Sequence, residues 1–147
     1  MRSYVIGFYG YSNTGKTNVI SDLIKKLNEE EHRVAVIKCS DKKISFDKEE
    51  KDTYKHSKAG ANPVVLSSLL ETDFIIKKNL SIDDIINYLT VLEKLDIILV
   101  EGANDKNLLK VCIGDIQKRE NTIMEYDGDF EKLYNFIKGK MMENKNG

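Results

Sequence analysis

The chain has 147 residues, of which 41% are hydrophobic and 32% charged, and its formal net charge is −1. That length and composition predict a single globular domain over 1–147 with a core of its own. Without an excess of positive charge, neither nucleic acid nor an anionic membrane is an expected partner, and no apolar run approaches the roughly 18–20 residues of a transmembrane helix.

Residues 3–9 (SYVIGFY) predict a buried strand, and residues 18–30 predict an amphipathic helix. The helix carries Val19, Ile20, Leu23, Ile24 and Leu27 on one side, with Lys25, Lys26, Glu29 and Glu30 on the other. Between them stands Gly10-Tyr11-Ser12-Asn13-Thr14-Gly15-Lys16-Thr17, which fits the phosphate-binding pattern G-x-x-x-x-G-K-[ST]. A strand that feeds a glycine-rich turn and opens a helix is the context this P-loop needs. Gly10 and Gly15 allow backbone conformations that a β-carbon obstructs. The amides of the turn and first helical turn, from Ser12, Asn13 and Thr14 to Asn18, lack internal partners, and a polyphosphate satisfies them. Lys16 is expected to reach the β- and γ-phosphates, and the Thr17 hydroxyl to ligate Mg²⁺.

Residues 33–39 (RVAVIKC) predict a second strand, so the chain opens as β–α–β with a connection long enough for a parallel pair. The N-terminus runs directly into the first strand, so no signal peptide is expected before it. Cys39 and Cys112 lie in apolar strand-like runs and are expected as reduced thiols, which predicts the cytoplasm.

Residues 40–58 (SDKKISFDKEEKDTYKHSK) lose the apolar periodicity and predict a charged surface loop. Loops of this length are often functional, and this one leaves the carboxyl end of the second strand, the ligand-binding edge of an open α/β sheet. Runs at 63–70 and 73–78 predict a β-hairpin through Glu71-Thr72, with no glycine at the turn. Ser81 to Asp84 forms a capping-box pattern before a helix with Ile82, Ile85, Ile86, Leu89 and Leu92 on one face.

Residues 95–100 (LDIILV) predict a central parallel strand covered on both faces, ending at Glu101-Gly102. Further strands are expected at 108–113 and 121–126. A last helix starts near Asp129, using Phe130, Leu133, Tyr134, Ile137 and Met141, and the final ENKNG is expected to fray. The fold class is therefore α/β, a mostly parallel P-loop sheet flanked by helices, with the hairpin added.

Glu101 ends a buried strand where a carboxylate would hold Mg²⁺ or position water beside the P-loop. Lys16 and Glu101 are thus the expected catalytic pair. Asp96, at the opposite end of the strand, reads as a strand acid without such a role. Base recognition is harder to find. The guanine-reading N-K-x-D is absent, and Asn104-Asp105-Lys106-Asn107 has those residue types in another order. Asp115 is either a base contact or an ordinary turn acid. His32 and His56 form no site, and no cysteine–histidine spacing suits zinc.

Five segments together resemble the molybdopterin-guanine dinucleotide biosynthesis protein B (MobB) family. They are GYSNTGKT at 10–17, RVAVIK at 33–38, DKEEKDTYKHSKAGA at 47–61, VVLSS at 64–68 and LDIILVEG at 95–102. The resemblance keeps nearly constant register from about residue 4 to 105, and the 47–61 segment is far more specific than a P-loop. It implies a GTP-binding homodimer with weak hydrolysis, which assists the guanylyltransferase that attaches GMP to molybdopterin. It also implies functional roles for Asp47, Lys51, Asp52 and Thr53, and sets Glu101 on the family's strand-end acid. Two departures stand out. Lys38-Cys39-Ser40-Asp41-Lys42 replaces a histidine-rich run, so that Asp41 offers a carboxylate instead. The stretch after Glu101 is also short and lacks the family's proline-containing loop.

The alternative on the same scaffold is a small-molecule or nucleotide kinase. Phosphoryl transfer calls for arginines around the spreading charge, and Arg2, Arg33 and Arg119 form no lid-like cluster in the sequence. A nucleotide-gated metallochaperone would need a histidine tract or paired cysteines, and the sequence has neither.

Overall fold

A computed structural model of the protein describes residues 2–10 and 15–147. In chain order its elements are β1 (Tyr4–Tyr9), α1 (Lys16–Glu29), β2 (Val34–Lys38), α2 (Asp52–Lys58), β3 (Val64–Ser67) and β4 (Thr72–Ile75). There follow α3 (Ile82–Leu92), β5 (Ile97–Glu101), β6 (Lys110–Ile113), β7 (Thr122–Tyr126) and α4 (Phe130–Asn146). They fall into two compact units, one of residues up to Cys39 together with Ile82–Gly147, the other Ser40–Ser81.

The larger unit is a five-stranded sheet in the order β2-β5-β1-β6-β7, parallel throughout. β1 and β2 are parallel, as the β–α–β reading expects, but they are not neighbours, because β5 lies between them. β5 is buried along its whole length, which is why 97–100 can be apolar at every position. Alternation along each strand sorts the side chains between two faces. Tyr4, Ile6 and Phe8 of β1, with Ile97 and Leu99 of β5, pack against Ile20, Leu23 and Leu27 of α1 and Leu133, Ile137 and Met141 of α4. On the other face Ile37, Ile98 and Val100 meet Ile82, Ile85, Ile86 and Leu89 of α3.

α4 starts at Asp129, whose side chain accepts the Lys132 amide, and it continues to Asn146 rather than fraying at ENKNG. Asn144 Nδ2 donates to the Arg2 carbonyl at 2.8 Å, which ties the last helical turn to the chain start.

The smaller unit contains α2 and the antiparallel β3–β4 hairpin. Two details of the sequence reading are corrected here. The stretch 40–58 is not all loop, since Asp52–Lys58 is helical with no buried residue, so no apolar stripe could announce it. The hairpin turns through Ser68-Leu69-Leu70-Glu71 instead of Glu71-Thr72. The Ser68 hydroxyl accepts the amides of Leu70 (3.2 Å) and Glu71 (3.1 Å), a turn device that needs no glycine.

Candidate functional site

β1 ends at Tyr9 and leads to Gly10; α1 begins immediately after Gly15, which has φ 80° at the helix N-cap. That left-handed backbone is what glycine supplies without strain. Gly15 has no side chain to cap this helix start, and its first turn holds no acidic residue. The end of the helix dipole therefore remains positive and suited to an anion. Asn18 is exposed in that first turn. Ser12, Asn13 and Thr14 lie outside the described residues, as do the side chains of Lys16 and Thr17.

Glu101 is the last residue of β5, in register with Phe8 of β1 on one side and Lys38 of β2 on the other. Strand alternation puts it on the same face as Ile97 and Leu99, which pack against α1. Its carboxylate thus belongs to the α1 side of the sheet, at the edge from which the chain leaves β1 toward Gly10. Glu101 is only 8% exposed. The turn after it is closely built. Gly102 has φ 76°, and a β-carbon there would stand 2.8 Å from the Cys39 carbonyl oxygen. Both Gly102 and Ala103 donate their amides to the Phe8 carbonyl, at 2.9 and 3.2 Å.

Asp96, at the other end of the segment, accepts the Arg33 amide at 2.8 Å. Asp115 lies exposed two residues beyond β6, with the neighbouring Gly114 carbonyl accepting the Cys112 thiol at 3.5 Å. Cys39 and Cys112 are both free thiols, and burial pushes the Cys39 thiol pKa up. Among the described residues no group of three or more His, Cys, Asp or Glu is arranged to hold a metal ion.

In the smaller unit, the 47–61 segment divides in two. Asp47 and Thr53 come together, with the Thr53 hydroxyl donating to Asp47 Oδ1 at 2.7 Å. Lys77 completes the group, its ammonium 2.9 Å from Asp47 Oδ2. The bond to Lys77, and then that to Thr53, hold the Asp47 carboxyl below the usual carboxylate range. Lys51 and Asp52 remain exposed. Lys77 was not visible as a partner in the sequence, where it reads as the end of a strand thirty residues away. Arg119, which the sequence offers only as one of three scattered arginines, has its guanidinium 4.7 Å from the Tyr9 ring centroid.

The family model for molybdopterin guanine dinucleotide synthesis protein B matches residues 5–133. A molybdopterin-guanine dinucleotide biosynthesis adapter protein of Haemophilus influenzae is 30% identical over 115 residues, 74% of this chain and 62% of that protein. A Methanocaldococcus jannaschii protein, provisionally named for the same adapter role, is 35% identical over 103 residues, 69% of this chain and 41% of its own length. The chain therefore spans less than two thirds of these curated relatives. The crystal structure of Bacillus subtilis MobB superposes with a TM-score of 0.71 at 17% identity, over 93% of this chain and 97% of that one. This last likeness is one of fold.

Proposed function

The chain belongs to the molybdopterin guanine dinucleotide synthesis protein B family, and from that membership we propose that it is a GTP-binding adapter of molybdenum or tungsten cofactor biosynthesis. In this reading it hydrolyses GTP weakly and assists a guanylyltransferase that converts molybdopterin to molybdopterin guanine dinucleotide. It acts in the cytoplasm as a homodimer, with 1–147 serving as one nucleotide-binding domain.

The observation that carries the reading is the burial of Glu101 on the α1 side of the sheet, at the edge where β1 runs toward the glycine-led start of α1. An acid and a helix N-terminus at one sheet edge suit a phosphate with a divalent cation. Gly10, Ser12, Asn13, Thr14, Gly15, Lys16, Thr17 and Asn18 would cradle the phosphates. Thr17 and Glu101 offer hard oxygen donors of the kind Mg²⁺ prefers, and the ion would neutralise phosphate charge. Asp115, exposed beyond β6, is the proposed guanine contact. Asp47 and Thr53 act by holding their segment in shape, which leaves Lys51 and Asp52 to meet ligand or partner. The exposed Leu69 and Leu70 at the hairpin tip support self-association.

Titrating the purified chain with GTP and with ATP, each with and without Mg²⁺, tests the nucleotide part. Tighter, Mg²⁺-dependent binding of GTP is expected; a clear preference for ATP, or binding of neither, overturns it. The adapter part is tested by mixing the chain with a purified molybdopterin guanylyltransferase and measuring association with and without GTP.

A further inference from the structure

We propose that Arg119 is a positioning residue for Glu101, clamping the turn Glu101-Gly102-Ala103 to the end of β1. The inference rests on the nucleotide reading above and adds to it a residue outside every recognised motif.

The turn is held from three sides. The residue after β2 holds it, the Cys39 amide donating to the Glu101 carbonyl at 2.9 Å. β1 holds it through the Phe8 carbonyl, which accepts the Gly102 and Ala103 amides. Arg119 supplies the third, with Nη1 donating to the Ala103 carbonyl at 2.6 Å. Ala103 is only 1% exposed, so without Arg119 that carbonyl would lose this donor in a site with little access to water.

Arg119 is itself fixed on Tyr9, the residue before Gly10. Its amide donates to Tyr9 Oη at 2.9 Å, and its guanidinium lies over the Tyr9 ring. The Thr122 hydroxyl donates to the Arg119 carbonyl at 2.6 Å and stands 2.7 Å from Tyr9 Oη. The next residue is pinned too, since buried Lys110 donates its ammonium to the carbonyls of Glu120 (2.8 Å) and Leu108 (2.7 Å). One planar cation thus links the last residue before the P-loop to the residue two beyond the strand-end acid. A guanidinium can stack and donate at the same time, which a lysine does less well. Arg119 would act on the Glu101 carboxylate through the backbone that carries it, as groups behind a metal ligand set its effectiveness without touching the metal.

The test uses the full chain, with GTP as the probe. Binding is measured without Mg²⁺ and across a Mg²⁺ titration, for the wild type, Arg119→Met, Arg119→Lys and Thr122→Val. Arg119→Met is expected to keep the Mg²⁺-free affinity while the Mg²⁺ needed for half-maximal enhancement rises about tenfold or more. Arg119→Lys and Thr122→Val should shift it in the same direction by less. If Arg119→Met does not fold, those two milder variants decide by the same readout: a raised Mg²⁺ requirement supports the clamp, and an unchanged one overturns it. Equal loss of affinity with and without Mg²⁺ also overturns it. A wild type that binds no GTP overturns the nucleotide reading itself. Mg²⁺-dependent wild-type binding with unaltered variants overturns only the role of Arg119.

Discussion

Lys138 Nζ lies 2.6 Å from His32 Nε2, so that α4 is joined to the chain just beyond the end of α1. An ammonium can only donate, so the imidazole accepts at Nε2 and must be neutral there. Lys138 also pairs with Glu30 at 3.1 Å. Burial first, and then the Lys138 charge, push the His32 pKa below its ordinary 6.5, with Lys145 adding to this and Asp96 and Glu30 opposing it. The folded state thus binds the proton less readily than the unfolded chain. The contribution of this contact is complete above the ordinary value and is lost as pH falls below it toward the lowered one. Thermal unfolding followed between about pH 7.5 and 5.5 should show the midpoint falling with pH. His32→Gln, which accepts without titrating, should reduce that fall, and identical pH profiles for the two proteins would contradict the assignment.

Gly102 offers a sharper test of the turn behind Glu101. Gly102→Ala places a methyl 2.8 Å from the Cys39 carbonyl oxygen on a backbone with φ 76°. Left-handed strain alone costs about 1–3 kcal/mol, and the close contact adds to it. Denaturant titration should show a loss of at least about 2 kcal/mol. A variant as stable as the wild type would mean that the turn relaxes freely.

β1, β5 and the helices on them were legible because local chemistry and the global fold agree there. Leu23 and Leu27 recur at helical spacing, and 97–100 are apolar because both faces of β5 are covered. The strand order was not legible, since nothing within β2 states that β5 will separate it from β1. α2 escaped notice because Asp52–Lys58 buries nothing and so leaves no periodic trace. At the candidate site, Gly15 and Glu101 could be read from a motif and a strand end. Arg119 could not, because its partners Tyr9 and Ala103 are distant in sequence and one of its bonds goes to a backbone carbonyl, which carries no sequence signature. Lys77 was hidden for the same reason of distance, and the serine-based turn at Ser68 lacked the glycine that marks a hairpin.

The Asp47–Lys77 pair predicts a local effect. Lys77→Met removes the cation beside a carboxylate whose side chain is 2% exposed, and the segment Ser40–Ser81 should then open more often. Limited proteolysis at neutral pH should cut within that segment faster in the variant. Replacing Asp47 as well, by Asn, should recover part of the protection, because no unpaired charge is left behind. The Asp47 pKa is lowered from 3.8, so the pair contributes above that value and fails as pH falls through the lowered one. Equal cleavage rates in wild type and Lys77→Met would show that the pair does not hold the unit closed.

Two substitutions separate phosphate grip from chemistry in the proposed GTPase. Lys16→Ala should abolish detectable triphosphate binding while leaving the far-ultraviolet circular dichroism spectrum unchanged, because the proposed role of Lys16 is to hold ligand. Glu101→Gln should keep most GTP binding but lower Mg²⁺-dependent hydrolysis by roughly 10²-fold. Undiminished binding by Lys16→Ala, or equal loss of binding and turnover in Glu101→Gln, would contradict those roles.

The hairpin tip bears on the proposed homodimer. Leu69 and Leu70 are fully or nearly fully exposed, and Val65, Leu66 and Phe74 of the same hairpin are also exposed. A two-stranded ribbon standing alone is marginal in water and gains from having its apolar side chains covered. The Ser68 hydroxyl already forms the turn, so the two leucines are not needed to close it. Their value would then lie in contact with a second copy. Leu69→Ser with Leu70→Ser should leave the circular dichroism spectrum unchanged but shift the mass measured by light scattering from dimer toward monomer. At micromolar protein, a loss of even about 1.4 kcal/mol weakens association tenfold, well within reach of the measurement. A double variant that remains as dimeric as the wild type would remove the hairpin tip from the interface.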